Sequence, residues 1–274
     1  MPFDDRGQAG TIRRSEWDRR VRRAADLADR YSYAAEILTF YRKILELQRT
    51  IYQQVSSLSA SAEAVPGGLR RQLDAEVCLR HLPALLDLVE HDGTAKLKQD
   101  ARGFAALSSG QQRPTLEDFL ASTEEKPYSF FPRVLFQPYA EWLAGSYPPQ
   151  PSGSAGSVCP ICGSRPQAAV LRPEGDGGKR FLLCSFCLTE WEFRRVLCPT
   201  CGEENHQKLP RYSADGLDGI RVEACDTCKF YLKSIDLTVD GLAVPLVDEV
   251  ATVPLDLWAA ERGYKKVEPN LMGF

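Results

Sequence analysis

The chain has 274 residues, 43% of them hydrophobic and 26% charged, with a formal net charge of −3. This composition can bury a core and excludes an intrinsically disordered chain, and the length suggests two domains. The near-neutral charge argues against a general nucleic-acid binder. No run is apolar for long enough to span a membrane, and charged residues, not an apolar segment, follow Arg13–Arg14. We therefore expect a soluble, intracellular protein.

The first 144 residues show apolar residues at helical spacing. In the longest such stripe they recur every three or four positions, at Ile37, Tyr41, Ile44, Leu47, Ile51 and Val55. Shorter stripes cover 79–89, where Pro83 starts or kinks a helix, and 131–143. Thr115 is a predicted N-cap, and the basic stretch 13–23 is interpreted as a solvated helix face. We predict a helical domain over residues 1–144.

Residues 145–157 read GSYPPQPSGSAGS, a composition that cannot pack a core. We interpret this stretch as a linker that lets the two halves of the chain reorient. Beyond it the segments are short and rich in turn residues. Residues 181–183, 220–222 and 235–239 are predicted strands, and residues 254–262 are a predicted helix with a proline in its first turn.

Eight of the nine cysteines form four Cys-x-x-Cys pairs, all after the linker. In a reducing compartment such pairs hold metal more often than they form disulfides. Their order suggests two four-sulfur sites. The first would be Cys159, Cys162, Cys184 and Cys187, and the second Cys198, Cys201, Cys225 and Cys228. A crossed grouping of the pairs is the alternative. The ninth, Cys78, is interpreted as a small buried apolar residue.

The two sets are internally repeated. Each opens with Cys-Pro-x-Cys-Gly, at Cys159 and at Cys198, and each second pair is preceded at the same offsets by a glycine and an arginine. Matching landmarks predict two copies of one module of roughly 40 residues. The first occupies residues 158–196, and the second, together with a C-terminal helix, residues 197–274. The fold class is therefore α+β: a multihelical N-terminal domain followed by two rubredoxin-like or zinc-ribbon four-cysteine modules.

Spacing alone favours zinc, although four sulfurs suit zinc or iron. The second pair of each module is followed by Leu188 or Lys229 instead of glycine, which weakens a close analogy to rubredoxin. Residues 152–240 carry eleven basic and twelve acidic side chains, and eight thiolates with two divalent ions would add a charge of −4. A region this acidic is a poor match for a nucleic-acid backbone.

No nucleophile motif, phosphate loop or dinucleotide fingerprint is present, so we do not expect an enzyme. His81 and His91 are predicted on solvated or packed helix faces. His206 could approach the second site, which four sulfurs already complete.

Several runs together resemble the formate dehydrogenase accessory protein family, FdhE. They are CPICGSRP at 159–166, LCSFC at 183–187, CPTCG at 198–202, RVEACDTC at 221–228, YLKSID at 231–236 and FPRVLFQPYAE at 131–141. The ending, with LDLWA at 255–259, is also similar. The resemblance covers residues 125–274 well and the N-terminal helices loosely.

The resemblance implies a cytoplasmic assembly factor that binds the catalytic subunit of a respiratory formate dehydrogenase, with two rubredoxin-like modules. It implies iron as the metal in the native host, with zinc remaining possible, and it carries the ligand role to all eight cysteines. Arg133, Gln137, Pro138 and Tyr139 match the family as well. They are candidate partner-binding residues, or they brace the interface between the domains.

Two other functions stay open. One is a rubredoxin-like electron-transfer protein that acts on the client, and the other is a zinc-ribbon adaptor for another protein partner. No nucleic-acid partner and no membrane insertion are expected, and self-association is left open.

Overall fold

The computed structural model describes residues 5–58, 68–122, 126–147, 156–174 and 177–274. Its N-terminal part is helical and its C-terminal part is built on a seven-stranded sheet with two four-cysteine clusters. The predicted α+β class is therefore confirmed. None of the helices in the described ranges combines the length and the apolar character needed to cross a lipid bilayer.

The described residues of the N-terminal part form seven α-helices. They are α1 (Asp5–Arg30), α2 (Ala35–Val55), α3 (Ala75–Leu79), α4 (Leu82–Asp92), α5 (Ala95–Ala105), α6 (Ser109–Ala121) and α7 (Phe130–Ala144). Helices α2 and α7 pack against each other, and most of the apolar residues in their predicted stripes are buried. A polar pair lies between them: the side-chain amide of Gln48 donates to Val134 O (3.1 Å) and to Gln137 Oε1 (3.0 Å).

The predicted N-cap at Thr115 is wrong. Helix α6 begins six residues earlier, at Ser109, because Ser108 and Gln111 form a capping box at its N-terminus. The Ser108 backbone N–H donates to Gln111 Oε1 at 3.1 Å. Thr115 lies inside the helix, where its hydroxyl donates to the carbonyl of Gln111 at 2.8 Å.

The interpretation of residues 13–23 as a solvated helix face is wrong for two arginines. Arg20 is only 7% exposed and makes a two-point ion pair with Glu141, at 2.8 and 2.7 Å. Arg23 reaches into the C-terminal half, to Asp248 at 2.5 Å and Asp240 at 2.9 Å. Helix α1 therefore joins the two halves of the molecule.

The strands are β1 (Pro166–Glu174), β2 (Gly177–Cys184), β3 (Glu190–Glu192), β4 (Arg211–Ser213), β5 (Ile220–Ala224), β6 (Phe230–Asp236) and β7 (Lys265–Lys266). Their order is β3-β2-β1-β6-β5-β4, with β7 beside β6. Strands β1 and β6 pair in parallel, from Ala168 opposite Lys233 to Leu171 opposite Asp236, and so join the two repeats in one sheet. The predicted strand over 235–239 is wrong beyond Asp236, where a turn begins.

Two short helices follow the sheet, α8 (Pro245–Ala251) and α9 (Val253–Glu261), the second within one residue of the predicted 254–262. They close over a buried ionic cluster. The Lys233 ammonium lies 3.0 Å from Glu249 Oε1 and 2.5 Å from Asp256 Oδ2, and Lys266 pairs with both carboxylates. Lys233 and Glu249 are 0% exposed. Two ammonium groups thus balance two carboxylates inside the protein.

The predicted linker, 145–157, falls mostly on residues 148–155, outside the described ranges. On either side of it the helical part and the first cysteine module share one apolar core. For example, the rings of Phe119 in α6 and Phe186 beside Cys187 lie 5.8 Å apart. Reorientation of the two halves would have to separate these contacts.

Candidate metal centres

All four Cys-x-x-Cys turns have the same backbone geometry. In each, the N–H of the first cysteine donates to the carbonyl five residues further on. The pairs are Cys159 to Ser164 (2.8 Å), Cys184 to Thr189 (3.0 Å), Cys198 to Glu203 (2.9 Å) and Cys225 to Phe230 (2.9 Å). The turn folds back on itself within six residues, so both of its sulfurs lie on the same side.

The residue after each second cysteine adopts left-handed backbone angles. Gly163 and Gly202 have φ of 76° and 75°, and the equivalent Leu188 and Lys229 have φ of 57° and 61°. Only glycine takes this conformation without strain. Leu188 and Lys229 thus take the backbone conformation of the glycines, and all four turns of this chain are equivalent in shape.

The structure brings the eight cysteines together in two groups, divided as the spacing predicts. The closest sulfur pairs are Cys162–Cys184 at 3.3 Å and Cys159–Cys187 at 3.5 Å in the first group. In the second they are Cys201–Cys225 at 3.6 Å and Cys198–Cys228 at 3.7 Å. All of these cysteines are free, since a disulfide would need about 2.0 Å.

These spacings fit a tetrahedral ion. With metal–sulfur bonds of about 2.3 Å, the sulfurs of a tetrahedron lie about 3.8 Å apart. Within each group all four sulfurs lie within 4.8 Å of one another. Both groups could therefore hold a metal ion.

Four buried thiolates in the first group would need a cation to balance their charge. Hydrogen bonding with Cys159 and the other thiols holds the pKa of Cys162 far below its usual range. Burial raises the pKa of Cys184 and of Cys187 well above theirs. The N–H groups of Phe186 and Cys187 donate to Cys184 Sγ at 3.3 and 3.4 Å, which is favourable to a thiolate but too little for four buried ones. A bound cation would supply the missing charge.

An arginine of the helical part, Arg70, lies beside the first group. Its guanidinium stacks 4.2 Å above the ring of Phe186 and donates to Ser164 Oγ at 3.0 Å, between the two turns. Burial lowers the pKa of Arg70 and outweighs the effect of the nearby Cys162 and Cys184 sulfurs, which act to raise it. Sequence analysis missed this residue because nothing in the local pattern around position 70 points to a site almost a hundred residues away.

Two of the candidate partner-binding residues, Gln137 and Arg133, bond to the C-terminal half. Gln137 is fully buried and donates to Ser185 O at 3.1 Å, and Arg133 donates to Pro269 O at 2.8 Å. Pro138 is buried within α7, and Tyr139 is 8% exposed. This placement favours the alternative that these residues brace the interface.

The other cysteine and the histidines lie outside both groups. Cys78 is fully buried in α3, its thiol donates to Leu135 O at 3.5 Å, and burial raises its pKa. His81 is half-buried against Gln54, and His91 and His206 are exposed. Within the described ranges neither sulfur group includes a histidine.

Comparison with known proteins gives a consistent picture. Family models described as the central domain and the C-terminal domain of FdhE match residues 158–195 and 196–272. An FdhE homolog from Aquifex aeolicus is 31% identical over 98% of this chain and 99% of its own length. An FdhE homolog from Pseudomonas aeruginosa is 38% identical over 42% of this chain and 39% of its own length.

A solved structure supports the same assignment. The crystal structure of the FdhE protein from Pseudomonas aeruginosa superposes with a TM-score of 0.72 at 25% sequence identity. The match covers 94% of this chain and 96% of that one. Given this match and the near full-length similarity to the Aquifex protein, the chain belongs to the FdhE family.

Proposed function

We propose that this protein is a cytoplasmic accessory factor for the assembly of respiratory formate dehydrogenase, that it binds the catalytic subunit of that enzyme, and that it is not itself an enzyme. The observation that carries the proposal is the pair of equivalent four-thiol groups in a chain of the FdhE family. All eight cysteines would be metal ligands.

Two metal ions would stabilise the modules in which they are bound. A module of about forty residues buries too little apolar surface to fold alone, so metal binding contributes to its folding free energy. We propose iron in the native host, with zinc as the alternative. Elemental analysis and a visible spectrum of protein purified anaerobically from that host test this. About two irons per chain with a ferric–thiolate spectrum after oxidation would support iron, and two colourless zinc ions would contradict it.

The assembly role is tested in a strain that lacks the gene. We expect little formate dehydrogenase activity in it, and recovery when the wild-type gene is returned. Cys162→Ser, which removes a sulfur of the first group, should not restore activity. Cys78→Ala, which alters a cysteine outside both groups, should restore it. Full formate dehydrogenase activity in the deletion strain would overturn the proposed function.

Partner binding is tested separately. Tagged protein from anaerobic cells should capture the catalytic subunit of formate dehydrogenase, and the tagged catalytic subunit should capture this protein in return. Failure of both captures, with both proteins present in the extract, would contradict binding to that subunit.

One observation favours an electron-transfer role as a second candidate. Cys201 of the second group is exposed, so an iron there would have a short path to a partner. Iron held by four thiolates can change its oxidation state, whereas zinc cannot. A one-electron potential that shifts when the catalytic subunit binds would support this role, and a potential unaffected by binding would count against it.

A further inference from the structure

The two sulfur groups share the same donors but differ in how they are covered. In the first group every cysteine is buried, and the most exposed of them, Cys162, is 3% exposed. In the second group Cys198 and Cys225 are buried, Cys228 is half-buried and Cys201 is exposed. One site is therefore enclosed and the other opens to solvent.

The cover of the first group comes from the helical part. Arg70 lies over Phe186 and reaches Ser164, so it spans both turns of the group. Gln137 and Arg133, also of the helical part, both donate to the carbonyl of Ser185, at 3.1 and 3.3 Å. None of these four sulfurs lines the neighbouring groove of about 1220 Å³ that Arg70, Ser164 and Phe186 border, so an incoming ligand reaches them only if the covering residues move.

Within the described ranges, the outer turns of the second group are not covered in this way. The residues beside Cys201 and Cys228 are exposed, among them Gly202, Asp226 and Thr227. Their side-chain contacts stay local to the module: Thr227 donates to Glu203 at 2.5 Å. A small molecule can therefore reach this side of the group without any movement of the helical part.

The inner side of the second group also borders a small cavity. Cys198 and Cys225 line a space of about 30 Å³, which is large enough for a water molecule. Thr200 and Arg180 also line this space, and Thr200 Oγ1 and Arg180 Nε are buried without a hydrogen-bond partner among the described atoms. A water molecule held in this space would lie beside Cys198 and Cys225.

We propose that the second group is a metal-exchange site, where an ion enters from, and leaves to, thiol or chelating donors in solution, while the first group retains its ion. The inference rests on the proposed function, since both groups must bind metal. Exchange is a ligand substitution: an incoming donor replaces the cysteine sulfurs one at a time, beginning with the exposed Cys201, and each released thiolate takes up a proton. The oxidation state of the metal does not change, so no oxidant or reductant is needed.

The rates of metal release test the inference on the full-length protein loaded with two zinc ions. With an excess of the chromogenic chelator 4-(2-pyridylazo)resorcinol, one equivalent of zinc should be released at least ten-fold faster than the other. Iodoacetamide added after the fast phase, followed by mass spectrometry, should label the second group before the first. A single common rate, or earlier labelling of Cys159, Cys162, Cys184 or Cys187, would overturn the inference.

Matched variants assign each phase to a group. Cys201→Ser changes an exposed ligand, and we expect it to remove the fast phase and leave the slow one. Cys162→Ser is the counterpart in the first group and should remove the slow phase. Loss of the slow phase in Cys201→Ser would refute the assignment. If the wild-type protein binds no zinc on reconstitution, the proposed metal function fails, whereas two ions released together refute only the exchange site.

Discussion

Replacing Lys233 by methionine tests the buried ionic cluster beneath helices α8 and α9. Methionine fills nearly the same volume but removes the ammonium that pairs with Glu249 at 3.0 Å and with Asp256 at 2.5 Å. It also removes the donor to the backbone carbonyls of Glu249 and Thr252. The cluster then holds two carboxylates and one ammonium, that of Lys266, out of reach of water.

The expected loss follows from the burial. Removing one partner of a buried ion pair destabilises a protein by about 3–5 kcal/mol, because the remaining charge is left unpaired. We expect about 3 kcal/mol, at the lower end, because Lys266 still pairs with both carboxylates. The double variant Lys233→Met/Asp256→Asn restores a balance of one charge of each sign. It should be more stable than the single variant.

Urea unfolding of the zinc-loaded proteins, followed by tryptophan fluorescence, measures the difference, and the transition midpoint should fall while the slope is unchanged. Exposed Lys265→Met is the matched control and should change the free energy of unfolding by less than about 0.5 kcal/mol. The reasoning is refuted if Lys233→Met costs less than about 1 kcal/mol, or if the double variant is less stable than the single one.

Three further predictions concern pH, backbone strain and the metal ligands. Burial acts to raise the pKa of Glu249, but Lys233 and Lys266 outweigh it and lower the pKa to about 2. Lowering the pKa from 4.5 to about 2 corresponds to a stabilisation of about 3 kcal/mol. This stabilisation is complete above pH 4.5 and is lost as the pH falls towards 2. The difference in unfolding free energy between wild type and Glu249→Gln should shrink over that range, and a constant difference would contradict the shift. Gly202→Ala should lower the free energy of unfolding in urea by about 1–2 kcal/mol, because alanine is strained at φ 75°. No atom lies within 4 Å of the added methyl group, so a steric clash does not contribute. Cys159→Ser and Cys225→Ser should each lose one metal ion, and the affected module should unfold, which amide hydrogen exchange would detect. A variant that keeps its fold and both ions would contradict this expectation.

The grouping of the cysteines could be predicted because it is a local property. A Cys-x-x-Cys turn sets the direction of its own sulfurs within six residues, and the order of the turns along the chain leaves few ways to combine them. The conformation after each turn could be predicted only where glycine stands. At Leu188 and Lys229 the hydrogen bonds of the turn hold a left-handed backbone that the residue type disfavours.

What could not be predicted depends on contacts between distant segments. Every residue of strand β1 from Pro166 to Leu171 is buried, so burial does not alternate along the strand. Its sequence therefore lacks the alternation of apolar and polar residues that marks a strand, and it does not indicate the neighbouring strand. Its parallel neighbour β6 lies about sixty residues further on. Arg20 and Arg23 were interpreted as solvated for a similar reason, because their carboxylate partners lie more than a hundred residues away.

The order of strands in the sheet has a consequence for assembly. By their positions relative to the cysteine turns, strands β1, β2 and β3 of the first module correspond to β4, β5 and β6 of the second. Across the sheet, the order β3-β2-β1 is followed by the equivalent order β6-β5-β4. The two modules are therefore related by a translation, in a head-to-tail arrangement. A head-to-tail contact does not close on itself. The edge strand β3 is therefore equivalent to the central strand β6, and the edge strand β4 is equivalent to the central strand β1. Both edge strands are only three residues long. Short edge strands of this kind hinder the addition of a strand from another molecule at either end of the sheet.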